Sequence, residues 1–193
     1  MAVTTESATQ AADAVLVEAA RRGDLFAWER LVRRYQEPVY RVAFLIVRDT
    51  ALAEDATQST FVRAYRALPS FEDDVGLVPW LVRIAAGEAR QQRRESGRPR
   101  HNSRPVERIT GPRYPASAIP GLSEAGGLSP SQREAVGEAF ERLGEEDRLT
   151  LALRYLLGLS RTDAANALSI GSALADEHLQ TALRRLRTRM ADA

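Results

Sequence analysis

From residue 13 to residue 94, apolar positions return every three or four residues, the spacing of an amphipathic helix. Asp13 is placed to cap a helix reaching Arg22. Asp24 caps the next, which carries Phe26, Leu31 and Tyr35. Pro38 suits a first helical turn and predicts a separate helix, with Val39, Val42, Ala43 and Ile46 on one side. Asp49 or Thr50 opens a long helix to Leu68, stopped by Pro69. Pro79 starts another, which runs to about Arg94. Residues 95–130 are dense in Pro and Gly and poor in apolar groups, so they read as a linker. The helical period then resumes at about 131–143, 146–157, 160–168 and 173–190. Ser131–Glu134 reads as a capping box and Ser160–Asp163 as a weaker one. No stretch alternates with period two long enough for a strand. The pattern predicts an all-α protein of two small helical domains on a flexible linker. Its parts are a disordered tail over 1–12, a domain over 13–94, the linker over 95–130 and a domain over 131–193.

Composition narrows the chemistry. The 193 residues are 44% hydrophobic, enough for real cores, and contain no Cys, so disulfides and thiolate metal sites are excluded. Only two His are present, His101 and His178, one in the linker and one in the last helix. No phosphate-cradling Gly loop and no nucleophile with a plausible base are visible, so neither metal, cofactor nor enzymatic activity is expected. No run of 18 apolar residues exists and the start lacks a basic stretch before an apolar one. A soluble cytoplasmic protein without membrane insertion is expected. All 27 basic residues are Arg. A GC-rich genome explains this simply; forked recognition of phosphate and guanine is the alternative. The net charge is only +1, so any nucleic-acid surface must come from how charge is distributed.

Two segments carry candidate chemistry. In AEDATQSTFVRAYRALPSF (53–71), Asp55 and Gln58 share one helix face, while Phe61, Tyr65 and Leu68 form an apolar stripe. Such a helix serves both a core and a partner. Near the C-terminus, a short helix after GLS, a turn near Ser169–Ser172 and a longer helix make the order of a helix-turn-helix, whose second helix enters a major groove. Leu159, Ala164, Ala165, Leu168, Ile170, Leu174, Leu179 and Leu183 are its expected core.

The stretch WERLVRRYQEPVYRVAFLIVRDTALAEDATQSTFVRAYRALPSF resembles region two of the bacterial sigma factors of the extracytoplasmic-function class. VPWLVRIA resembles the start of the helix facing the promoter minus-ten element, and FERLGEEDRLTLALRYLLGLSRTDAANAL resembles the first part of region four. The resemblance implies a dissociable specificity subunit that binds core RNA polymerase and promoter DNA, in many members restrained by an anti-sigma factor. By position, Asp55 and Gln58 fall where the family meets the clamp helices of the largest polymerase subunit. The loop Ser70 to Gly76, with Ser70, Phe71, Glu72 and Asp73, falls where the family captures a flipped minus-ten base. Trp80 matches an aromatic position, and Arg83, Arg90, Arg93 and Arg94 give the following helix a basic face. Ser160, Arg161, Asp176, Glu177, His178, Thr181, Arg184 and Arg185 are the DNA candidates of the helix-turn-helix.

The chain departs from the family twice. AAGEARQQRR replaces the usual end of region two, and Gly87 weakens that helix by about 0.5–1 kcal/mol relative to Ala. Ala173-Leu174-Ala175 followed by Asp176-Glu177-His178 stands where the family has Gly-Thr-Val followed by Lys-Ser-Arg. Two carboxylates facing a phosphate-lined groove oppose binding, so weakened or altered minus-thirty-five contact is expected. Two further readings stay open. One is a degenerate sigma homologue acting as a polymerase-binding or protein-interaction module. The other is an independent helix-turn-helix regulator.

Overall fold

A computed structural model describes residues 2–72, 76–97 and 129–191 of the chain. Its regular elements there are all helical. Helix α1 (Ala2–Arg21) begins inside the stretch 1–12 assigned to a tail, because that stretch is rich in Ala and free of Pro and Gly. Asp13 is therefore not a cap. It lies buried inside α1, where the Tyr35 hydroxyl and the Arg34 guanidinium donate to its carboxylate. Burial, reinforced by that hydrogen bond to Asp13, pushes the Tyr35 phenol well above its ordinary range.

Asp24 caps α2 (Leu25–Val47), its carboxylate accepting from the Phe26 and Ala27 amides at 2.9 and 3.1 Å. The helix does not restart at Pro38 but runs through it. Pro38 removes one backbone bond. The buried positions Leu31, Tyr35, Val39 and Val42 keep one stripe across it, and their packing holds the helix together. Beyond Val39 the burial is not one-sided: Val42 through Val47 are all buried. A helix apolar all round must be covered all round. Arg48 ends α2 in the left-handed region (φ 57°), its amide donating to Phe44 O.

Asp49 caps α3 (Thr50–Ala67) by accepting from Leu52 N at 3.1 Å. A 3₁₀ turn over Leu68–Ser70 takes in Pro69. Helix α4 (Leu77–Glu95) follows Gly76, whose φ of 77° suits Gly, with Pro79 in its first turn. The inner face of α3 is made of small residues, Ala53, Ala56, Thr60 and Ala64, each fully buried. They let α3 approach α2 and α4 closely, and Phe61 and Leu68 are buried beside them.

The second half contains α5 (Pro130–Glu141), α6 (Glu145–Tyr155), α7 (Arg161–Leu168) and α8 (Ser172–Ala191). The capping box of α5 is Ser129 with Gln132, not Ser131 with Glu134, since Pro130 takes the first helical position. Ser160 caps α7, accepting from Asp163 N at 3.1 Å. Helix α6 is central: Asp147 through Leu153 are all buried. The expected helix-turn-helix core holds at Leu159, Ala164, Ala165, Leu168 and Leu179, with Ile170 and Leu183 packed at its edge. Leu174 is exposed instead, and Ala175 and Ala182 take the inward positions of α8.

The two halves touch. Helix α4 packs on α7, and the end of α2 packs on α6. The last carbonyls of α2 have no partner within their own helix. Arg148 of α6 donates to Leu45 O at 2.8 Å and to Leu143 O at 3.0 Å. Arg93 of α4 donates to Ile46 O at 3.1 Å. Arg48 pairs with Glu141 across the same seam. Residues 98–128, most of the expected linker, lie outside the described residues.

Candidate functional site

The outer face of α3 is the mirror of its small-residue face. Asp55, Gln58, Val62 and Tyr65 follow at spacings of three, four and three, and all are exposed. Val62 is 52% exposed and Tyr65 37%, unusual for large apolar side chains. Tyr65 thus leaves the buried stripe expected for it with Phe61 and Leu68. Trp28 of α2 supports its ring from behind at 5.3 Å between centroids. Beside this stripe, Gln58, Val62, Arg63, Arg66, Glu88 and Gln91 line an open groove between α3 and α4. The sequence reading passed over Val62 and put Tyr65 on the buried stripe, because the period places Tyr65 at the border of two faces.

The segment after α3 is only partly open. Ser70 is exposed and donates to Ala67 O at 2.9 Å, and Glu72 is exposed. Phe71 is 5% exposed. Its ring packs on Trp80 at 4.7 Å, and the Arg21 guanidinium lies over it at 5.7 Å. Arg21 also donates to the carbonyls of Leu68 and Phe71. Helix α1 therefore pins this segment, a role that the sequence reading missed. Asp73 lies outside the described residues.

Along α4, Arg83, Arg90 and Arg93 are engaged with the second half. Arg83 donates to Asn166 O at 3.2 Å. Arg90 bridges Glu145 and Glu146, at 3.0 Å to each. Arg93 pairs with Glu145 as well as with Ile46 O. Arg94 is exposed. Burial raises the Glu145 pKa, but hydrogen bonds from Arg93 and Arg90 outweigh it, and the carboxyl ends below its ordinary value. A depressed folded-state pKa stabilises above the unfolded value, about 4.3, and that contribution is lost as pH falls through the folded one. Wild type is expected to lose its thermal-midpoint advantage over Glu145→Gln below about pH 4. Melting curves of both across pH 3–7 check this; a gap constant down to pH 3 refutes it.

On α8, Ala173, Glu177, Gln180 and Arg184 form one exposed stripe. Asp176 is half exposed and 3.5 Å from Arg161. Arg184 reaches Thr181 Oγ1 at 3.2 Å. His178 and Arg185 point the other way: both hold the buried Asp147 of α6, at 2.7 and 3.1 Å. They set the orientation of α8 on α6, while Asp176 and Glu177 remain outside. Among the described residues no group of His, Asp or Glu is arranged to hold a metal, and no helix is long and apolar enough to cross a membrane.

Residues 31–98 match the Sigma-70 region 2 family. The ECF RNA polymerase sigma-E factor of Salmonella typhimurium is 36% identical over 161 residues, covering 81% of this chain and 82% of that protein. Among solved structures, CnrH in complex with the cytosolic domain of CnrY aligns with a TM-score of 0.65 at 22% identity, covering 94% of this chain and 99% of that one. The sigma factor RpoE in complex with the anti-sigma factor NepR, from Bartonella quintana, aligns at 0.61 and 20%, covering 84% and 96%. These two likenesses concern the fold. With more than a third of positions shared with a sigma-E factor along most of both chains, this protein belongs to the extracytoplasmic-function sigma factors of RNA polymerase.

Proposed function

We propose that this sigma factor binds core RNA polymerase through the outer stripe of α3 and directs promoter recognition and transcription initiation, acting by binding and not by catalysis. The observation that carries this is the pairing of Asp55 and Gln58 with the exposed Val62 and Tyr65 on one face. Polar groups that set register beside an apolar, aromatic anchor are the make-up of a protein–protein interface. Helices α1 to α4 form the polymerase and minus-ten domain and α5 to α8 the helix-turn-helix domain, with the residues between α4 and α5 as the linker. The minus-ten contacts fall to Ser70, Glu72, Asp73, Trp80 and the arginines of α4, with Phe71 joining them only if its packing on Trp80 opens. The cytoplasm, where the polymerase works, is its place. The complex of RpoE with an anti-sigma factor supports a similar restraining partner here. Run-off transcription with purified core polymerase tests the reading. Promoter-specific transcripts are expected; polymerase binding without them favours an interaction module instead.

For the second domain, the outward stripe of α8 with Asp176 and Glu177 supports a weakened minus-thirty-five contact. Asp176→Lys with Glu177→Ser is expected to tighten non-specific DNA binding. It should also steepen the salt dependence by about 0.9 in logarithmic slope for each further phosphate neutralised. If the carboxylates read cytosine amino groups, specific binding instead falls by about 1–3 kcal/mol for each base no longer read. A salt titration of both proteins decides, and no response on either count removes α8 from the groove.

A further inference from the structure

Arg21 closes α1, and its fork reaches out of that helix. Nε donates to Leu68 O at 3.2 Å, Nη2 donates to Phe71 O, and Nη1 lies 3.6 Å from Glu18 Oε2 one turn back. The guanidinium carbon stands 5.7 Å from the centre of the Phe71 ring, which packs on Trp80 of α4 at 4.7 Å. One side chain thus ties down both ends of Leu68–Phe71, 47 and 50 positions along the chain. Local bonds from Phe71 N to Leu68 O, 3.2 Å, and from Ser70 Oγ to Ala67 O, 2.9 Å, tie the same turn back to α3. Three helices therefore converge on it. Phe71 itself is extended, with φ −70° and ψ 128°. Its ring is anchored inward, while Ser70 and Glu72 on either side are exposed.

We propose that Arg21 is a positioning residue for promoter opening: it holds Leu68–Glu72 in the form in which Ser70 and Glu72 meet an unstacked minus-ten base. This rests on the reading of that segment as a minus-ten contact. Taking a base out of the stack costs free energy that contacts with the protein must offset. A segment already fixed makes those contacts without first losing backbone freedom, whereas a loose one loses it on binding. Arginine suits the task. Its planar fork meets two carbonyls at a set separation, where an ammonium acts as a single point charge. The last turn of α1 also favours a cation through the helix dipole.

The test uses the full chain assembled with core polymerase. The template is a fully paired duplex that wild-type holoenzyme has selected from a pool of random-sequence duplexes. Opening is read as permanganate reactivity of unpaired thymines at equal holoenzyme concentration. Arg21→Met is expected to open the template about five- to thirtyfold less, the factor for ordering one further residue on binding. Its affinity for core enzyme is expected to stay as in wild type, and the amides of Leu68–Glu72 to exchange with deuterated water faster. Arg21→Lys, which keeps the charge without the fork, is expected to fall between. Arg34→Met loosens α1 from α2 at Asp13 and leaves Leu68–Phe71 untouched. It is expected to lower the melting temperature with no loss of opening. Ser70→Ala with Glu72→Ala tests the segment itself and is expected to lose opening. Full opening by Arg21→Met, beside a defect in the Ser70 and Glu72 variant, overturns the positioning role and leaves the minus-ten reading standing. An equal loss in Arg34→Met overturns the role too, since docking of α1 at any point then suffices. So does a gain of opening in Arg21→Met, which makes the arginine a restraint. Normal opening in the Ser70 and Glu72 variant sinks the minus-ten reading, and the role of Arg21 goes with it.

Discussion

A chain carrying Asp55→Arg and Gln58→Ala is expected to bind core RNA polymerase about 30- to 700-fold more weakly, while its helical content and melting temperature stay as they are. The two side chains are exposed on the outer face of α3, away from the Ala53, Ala56, Thr60 and Ala64 face that packs on α2 and α4. Their replacement therefore touches the partner and not the core. Loss of a carboxylate at a complementary interface, and the like-charge contact that replaces it, cost about 2–4 kcal/mol together. That figure is the stated factor in dissociation constant. Val62→Ala and Tyr65→Ala are expected to weaken the same association by smaller steps, since both keep the polar contacts that set register. Binding measured by surface-immobilised core enzyme checks the series. Wild-type affinity in the double variant would remove α3 from the interface.

Arg148→Met is expected to lower the thermal midpoint by about 4–8 °C. Arg148 is 8% exposed, and burial pushes its pKa below the ordinary arginine value. Holding a guanidinium there is costly, so an apolar replacement recovers part of the loss. The carbonyls decide the sign. Leu45 O and Leu143 O each lose a charged donor, and each buried acceptor left bare costs about 1–3 kcal/mol. A net loss of about 2 kcal/mol at this chain length gives the stated shift. Lys at 148 keeps the charge but has no fork with which to reach two carbonyls at once, one at the end of α2 and one in the turn between α5 and α6, so it is expected to recover only part of the difference. A midpoint unchanged in the Met variant would mean that these carbonyls find other donors.

The fold was largely readable from periodicity, and its misses share a cause. Helices α3, α6, α7 and α8 lie within a few residues of where apolar spacing and caps place them. Pro38 misled because local chemistry favours a restart there, while the stripe through Leu31, Tyr35, Val39 and Val42 is a property of the whole helix. The continuous apolar run AFLIV at the end of α2 held the signal that one side would not suffice. What covers it, α6, lies about a hundred positions along the chain, and no local pattern reports that. The site was readable as residue types and faces. Their present partners were not: Arg90 and Arg93 read as a free basic face, and His178 and Arg185 as groove contacts, because pairing with Glu145 and Asp147 depends on how the halves and helices meet. Asp13 shows the same limit, since nothing nearby in sequence announces Tyr35 and Arg34 as its partners.

The carbonyls at the end of α2 borrow their donors from elsewhere: Leu45 O from Arg148 of α6, and Ile46 O from Arg93 of α4, whose same nitrogen also holds Glu145. When the halves part, Leu45 O loses its donor to solvent and Arg93 loses the carboxylate that steadies it. The final turn of α2 is then free to fray, and its amides from Phe44 to Arg48 exchange with deuterated water faster than those around Leu31. Separation of the halves is thereby written into the isotope uptake of one short peptide inside the first half.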